Sequence, residues 1–181
     1  MKLSLREQVI AAIFAGIIAA FSQIIIPLGV VPLSLQTFIV GLTVTLLGRK
    51  TGTWAIIIYL LLGLIGLPVY AGAGSGIGSV LGPTGGYLVG FIFTGLILGT
   101  LLKKGPTTYV WVITANLIGF IVTLFFGSIW LKYAADLTWS AAIAGGFISF
   151  LIPEIIKAIA SGTLGVLLLR RLPEKFLLTD K

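Results

Sequence analysis

Two ionisable side chains stand inside an apolar run near the end of this sequence. In SFLIPEIIKAIASG, residues 149–162, Glu154 and Lys157 are three positions apart. On a helix, positions i and i+3 share one face. An acid accepts hydrogen bonds from N–H groups, and an ammonium donates to a carbonyl or carboxylate. A ligand with N–H donors beside a C=O would satisfy both. A structural ion pair that fixes helix packing is the plain alternative. A proton or ion path is a third reading, and it needs several titrating groups in series. The chain has no His, and Glu154 is the one acid placed deep in an apolar run. Pro153, just before the pair, removes a backbone donor and predicts a kink.

The second candidate is a Gly-rich stretch, LPVYAGAGSGIGSVLGPTGGYLVG, with Tyr70 and Tyr87 bracketing Gly72, Gly74, Gly76 and Gly78. The spacing does not complete a dinucleotide-binding G-x-G-x-x-G after a strand, and no G-K-[ST] follows. A flexible connection is one reading. The other is a folded loop that dips into the protein, because non-helical backbone at membrane depth is tolerated where it lines a cavity. Glycine allows close backbone approach and positive φ, and its free N–H groups can meet an anion. The two tyrosines offer apolar faces with polar tips.

The elements that must position these residues follow from composition. Of 181 residues, 58% are apolar and 9% charged, and apolar runs near the ~20 residues of a membrane crossing recur along the chain. The absence of Cys and His excludes disulfides, Cys/His metal sites, Cys nucleophiles and imidazole bases; no metal and no cofactor is expected. The net charge of +7 forms no stripe or patch of the kind nucleic acid requires. The expected fold is an all-α integral membrane protein, one transmembrane domain over residues 1–181 in contact with lipid. Six spans are expected at roughly 5–26, 34–48, 53–66, 84–102, 107–131 and 140–170, with the Gly-rich stretch 67–82 between spans three and four. The first is read as an uncleaved span rather than a secretory signal. Ser4 and Glu7 in SLRE fit a capping box at its start. Spans two and three are shorter than the ~17 residues of an ordinary crossing, so they borrow loop residues or pack inside the bundle.

Lys and Arg set the orientation. Lys2, Arg6, Arg49, Lys50, Lys103, Lys104, Arg170, Arg171, Lys175 and Lys181 fall at one set of span ends, against Lys132 at the other. Both termini are therefore expected in the cytoplasm. PLGVVP, the Gly-rich loop and residues 132–139 with Asp136 are expected outside.

GLPVYAGAGSGIGSVLGPTGGYLVGF, residues 66–91, closely resembles the hallmark segment of the BioY family, the biotin-binding substrate-capture (S) components of energy-coupling factor (ECF) vitamin transporters. GPTGGYL is its most specific part. PEIIKA resembles the family's acid-x-x-Lys motif, with Glu where Asp is commoner, and VPLSLQT, ANLIGF and GSIWL are similar to family segments. The match runs in order along nearly the whole chain.

The resemblance implies an S component in the cell membrane of a prokaryote. Such a subunit binds its vitamin from outside and docks on a transmembrane coupling subunit that carries two cytoplasmic ATPases. It then topples in the membrane to release the vitamin. It implies that Glu154 accepts from the ureido N–H groups of biotin and that Lys157 donates to the ureido oxygen or the carboxylate. Gln36, Ser75 and Asn116 are expected to add hydrogen bonds, Tyr70, Tyr87 and Trp130 to cover the rings, and the Gly72–Gly78 backbone, including Gly74 and Gly76, to meet the tail. Docking in such families is associated with small residues on the first helix. Two rows are available here, Ala11, Ala15, Ala19 and Ala12, Gly16, Ala20, and the same rows also suit packing within the chain. A stand-alone facilitator is the rival transport reading. A membrane enzyme is poorly supplied, with one embedded acid and no His or Cys.

Overall fold

The computed structural model describes residues 3–171. Helix α1, Leu5–Ser22, begins with the expected capping box: Glu7 N donates to Ser4 Oγ at 3.3 Å and Ser4 N donates to Glu7 Oε2 at 2.6 Å. The helix stops short of the expected residue 26. Pro27 disfavours helical backbone in the residue before it, and Ile25–Ile26 instead forms a strand, β1. It pairs antiparallel with β2, Leu33–Ser34, in the register Ile25 to Ser34 and Ile26 to Leu33. The expected all-helical chain therefore carries one small ribbon, closed by PLGVVP.

Residues Gln36–Leu64 form α2, two helical arms meeting at Gly48, where the first of the two expected spans was to stop; the expected gap at 49–52 is helical. The chain reverses at one residue, Gly48 (φ 73°, ψ −177°). A straight helix would set Gln36 and Tyr59 roughly 34 Å apart, yet Gln36 Nε2 donates to the Tyr59 hydroxyl at 2.5 Å. The reversal needs a left-handed φ, which glycine supplies without steric cost. The arm before Gly48 is buried along almost its whole length. It is the interior helix, in contact with α1 and with the later helices.

The Gly-rich stretch is folded. A 3-10 turn, Ala71–Ala73, leads to the short helix α3, Gly76–Leu81. The end of α1 holds it from below: Gln23 Oε1 accepts from Ala73 N at 2.9 Å, Gln23 Nε2 donates to Tyr70 O at 3.2 Å, and Ser22 Oγ donates to Val69 O. Helices α4, Gly85–Lys104, and α5, Tyr109–Ala134, then form the most extensive helix pair. Helix α6, Trp139–Ile143, passes through a π-helical turn, Ala144–Ile148, into α7, Ser149–Arg171, which contains Pro153.

Among the described residues, four helical stretches are long and apolar enough to cross a membrane: Leu5–Ser22, Gly85–Lys104, Tyr109–Ala134 and Trp139–Arg171. Large apolar side chains stand outward as well as inward, among them Ile13, Phe125, Ile152 and Ile156. That surface suits hydrocarbon, where the outside is as apolar as the core. Of the cations counted in the sequence, Lys2, Lys175 and Lys181 lie outside the described residues.

Candidate functional site

Helix α7 presents Glu154 and Lys157 to the interior, as the i, i+3 spacing requires. Glu154 is 2% exposed and Lys157 8%. Lys157 Nζ donates to Glu154 Oε1 at 2.6 Å and to Thr37 Oγ1 at 2.9 Å, and Thr37 Oγ1 donates to the same Glu154 oxygen at 2.9 Å. This closed triangle joins the first turn of α2 to the middle of α7. Two valences are left over. Glu154 Oε2 is buried and has no hydrogen-bond partner among the described residues. An ammonium carries three donors, and the described residues take two of the Lys157 protons. A buried acceptor and donor of this kind are costly unless a further group completes them.

The pair borders a cavity of about 620 Å³, counting all space between the lining atoms, mouth included. Tyr87 and Phe91 of α4, Phe150 of α7 and Tyr70 form aromatic walls, while the β-ribbon contributes Pro32 and the Gly-rich segment Gly74 and Ser79. The aromatic rings are fixed. Tyr70 donates to Leu60 O at 2.6 Å and meets Tyr59 edge-on at 5.7 Å between centroids. Its ring lies so close to Gly63 that a Cβ there would sit 2.1 Å from Tyr70 Cζ. Tyr87 donates to Gly146 O at 2.8 Å, which occupies a carbonyl in the π-helical turn. Gln36 spends its amide on Tyr59, and its Oε1 accepts from Ser34 Oγ at 2.8 Å.

Of the residues expected at a binding site, Glu154, Lys157, Gln36, Tyr70, Tyr87 and Gly74 line this one cavity. Four do not. Asn116 is fully buried elsewhere: Nδ2 donates to Thr45 Oγ1 at 3.1 Å and to Val112 O at 2.9 Å, and Oδ1 accepts from Ser161 Oγ at 3.1 Å. It ties α2, α5 and α7 together one turn beyond Lys157. Trp130 donates from Nε1 to Gly82 O at 2.9 Å and packs against Gly86, so it braces the end of the Gly-rich segment from outside. Ser75 and Gly76 begin α3. The helical turn carries Ser79 to the cavity wall in their place, with Ser79 Oγ bonded to Ser75 O at 2.9 Å.

Thr37 and Ser79 were missed. Thr37 sits in VPLSLQT beside Gln36, but a lone threonine opening an apolar helix carries no signal of its own.

The two small-residue rows of α1 separate. Ala11 and Ala15 are fully buried and Ala19 packs on the core, so this row serves the contact with α2 and is closed to a partner. Ala12, Gly16 and Ala20 are exposed, and a Cβ at Gly16 would meet nothing within 4 Å.

The apolar outer faces of this helical bundle are those of a membrane protein, and inside it an incompletely satisfied ion pair borders a cavity. The comparisons with known proteins make the class specific. The sequence pattern of the BioY family matches residues 1–174. Biotin transporter BioY2 of Lactococcus lactis subsp. cremoris is 40% identical over 168 residues, 93% of this chain and 92% of that protein. Biotin transporter BioY of Thermotoga maritima is 36% identical over 163 residues, 90% of this chain and 95% of that protein. The crystal structure of the S-component for biotin from an ECF-type ABC transporter matches with a TM-score of 0.88 and 28% identity, over 97% of this chain and 100% of that one. The chain belongs to the BioY family. It is a membrane protein with the fold of that S-component.

Proposed function

We propose that this chain captures biotin and delivers it across the plasma membrane of a prokaryote as the substrate-specific subunit of an ATP-driven ECF transporter. It is a transport subunit and not an enzyme. The observation that carries the reading is the pair of unused valences on Glu154 and Lys157 beside the cavity. The ureido ring of biotin offers N–H donors next to a C=O, which matches a carboxylate oxygen and an ammonium proton held a few ångströms apart. The aromatic walls suit the thiolane ring, and the backbone at Gly74 suits the carboxylate tail.

Six crossings account for the fold: α1, the two arms of α2, α4, α5, and α6 with α7. Arg6, Arg49, Lys50, Lys103, Lys104, Arg170 and Arg171 then share the cytoplasmic end, and the cavity opens outward beneath the ribbon and the Gly-rich loop. The exposed row Ala12, Gly16, Ala20 is the face for the transmembrane coupling subunit, which brings two cytoplasmic ATPases.

The test is a titration of purified protein in detergent with biotin, thiamine, riboflavin and a biotin methylated on both ureido nitrogens. Binding of biotin near 1:1, with the methylated analogue and the other vitamins weak, is the expected result. Equal binding of the methylated analogue would remove the ureido contact from the mechanism. Uptake into liposomes that requires the ATPase module is expected; concentrative uptake without it sinks the subunit assignment.

A further inference from the structure

A second cavity lies at the other end of the bundle. It encloses about 1060 Å³ between its lining atoms, mouth included, and Gly48, Arg49, Lys103 and Gly105 border it. On α4 its nearest lining residue, Gly99, stands eight residues, roughly 12 Å, from Phe91 at the first cavity, and the two cavities share no lining residue. Its inner surface is apolar, with Leu102, Val112 and Leu169. Its rim is cationic. Arg49 is rooted there, because α4 approaches so closely at Gly99 that a Cβ would sit 2.4 Å from Arg49 Cα.

The charges around this cavity differ in how they are met. Lys50 pairs with Glu7 at 3.0 Å, and Arg170 lies over the Tyr109 ring at 4.9 Å. Arg49 and Lys103 have no carboxylate within ion-pair distance among the described residues. Trp111, whose indole donates to Leu101 O at 3.2 Å, and Tyr109 lie beside it, and such aromatic side chains favour the membrane boundary. An apolar recess bordered by two unneutralised cations is complementary to an amphiphile with a phosphate head.

We propose that this cavity binds an anionic phospholipid, with the phosphate held between Arg49 and Lys103 and the start of an acyl chain against Val112, Leu102 and Leu169. The site is independent of the biotin reading.

Delipidated full-length protein in detergent is tested by native mass spectrometry and thermal shift with phosphatidylglycerol, phosphatidylcholine or inorganic phosphate. Phosphatidylglycerol is expected to bind and raise the melting temperature, while the other two leave it unchanged. The Arg49→Gln/Lys103→Gln variant is expected to lose about 25-fold in affinity for phosphatidylglycerol, from two contributions of about fivefold each. The charge-keeping Arg49→Lys/Lys103→Arg variant is expected to retain most of it. An unchanged melting temperature of the delipidated protein in both variants reports that the fold is intact. The same shift with phosphatidylcholine assigns the effect to general solvation, and the same shift with phosphate alone assigns it to a free anion. Either result overturns the proposal, as does full phosphatidylglycerol affinity in the neutralised variant.

Discussion

The sharpest test of the site removes the ion pair in two ways. Lys157→Met deletes the ammonium that sits 2.6 Å from Glu154 Oε1 and leaves a carboxylate that is 2% exposed with Thr37 as its one partner. Stranding one member of a buried pair costs about 3–5 kcal/mol, which in a chain of this size corresponds to a fall of roughly 10 °C in melting temperature. Glu154→Gln/Lys157→Met removes both charges while keeping nearly the same volume, so most of that loss is expected to return. Biotin binding is expected to follow the opposite course. Each charge contributes one charge-assisted hydrogen bond to the ligand, worth about 1.5–3 kcal/mol, so the double variant loses roughly 10²- to 10⁴-fold in affinity. Thermal unfolding in detergent and calorimetric titration with biotin measure the two effects separately. A purely structural ion pair predicts that stability and binding recover together. A double variant that binds biotin within about threefold of the parent would refute the ligand role of the pair.

Three further outcomes follow from the same geometry. Thr37→Val keeps the shape but removes a hydroxyl bonded to both Glu154 and Lys157; a loss of about 1–3 kcal/mol is expected, read as a roughly 5- to 150-fold weakening of biotin in a titration. Trp130→Phe removes the bond to Gly82 O while leaving the cavity wall intact; about 1 kcal/mol of loop stability is at stake, so biotin affinity is expected to fall by no more than about fivefold. Gly16→Leu fills the exposed side of α1, where a Cβ meets nothing, and leucine raises helix propensity by up to about 1 kcal/mol. Biotin binding in detergent is expected to be unchanged, whereas co-purification with the coupling subunit and ATP-dependent uptake in liposomes are lost.

Read as a bare sequence, the chain determines whatever depends on local spacing and on composition. The shortage of charge determines the solvent, the i, i+3 step determines that Glu154 and Lys157 share a face, and Ser4 with Glu7 determines where α1 begins. Side-chain periodicity reaches a few residues along one helix and no further. Thr37 joins the triangle from 117 positions before Glu154, so only the packing of α2 on α7 could bring it there. The break between the two arms of α2 is legible, because Arg49 and Lys50 interrupt the apolar pattern, but tertiary structure decides that the chain turns back at one residue, Gly48, with a positive φ. Tertiary contacts likewise decide that Ala11 and Ala15 face inward while Gly16 faces out, and that Ser79 takes the wall that Ser75 and Gly76 do not. In a soluble protein the polar side of each helix would announce its direction. Here lipid is as apolar as the core, so hydrophobicity does not tell the inner face from the outer one, and only contact with neighbouring helices assigns them.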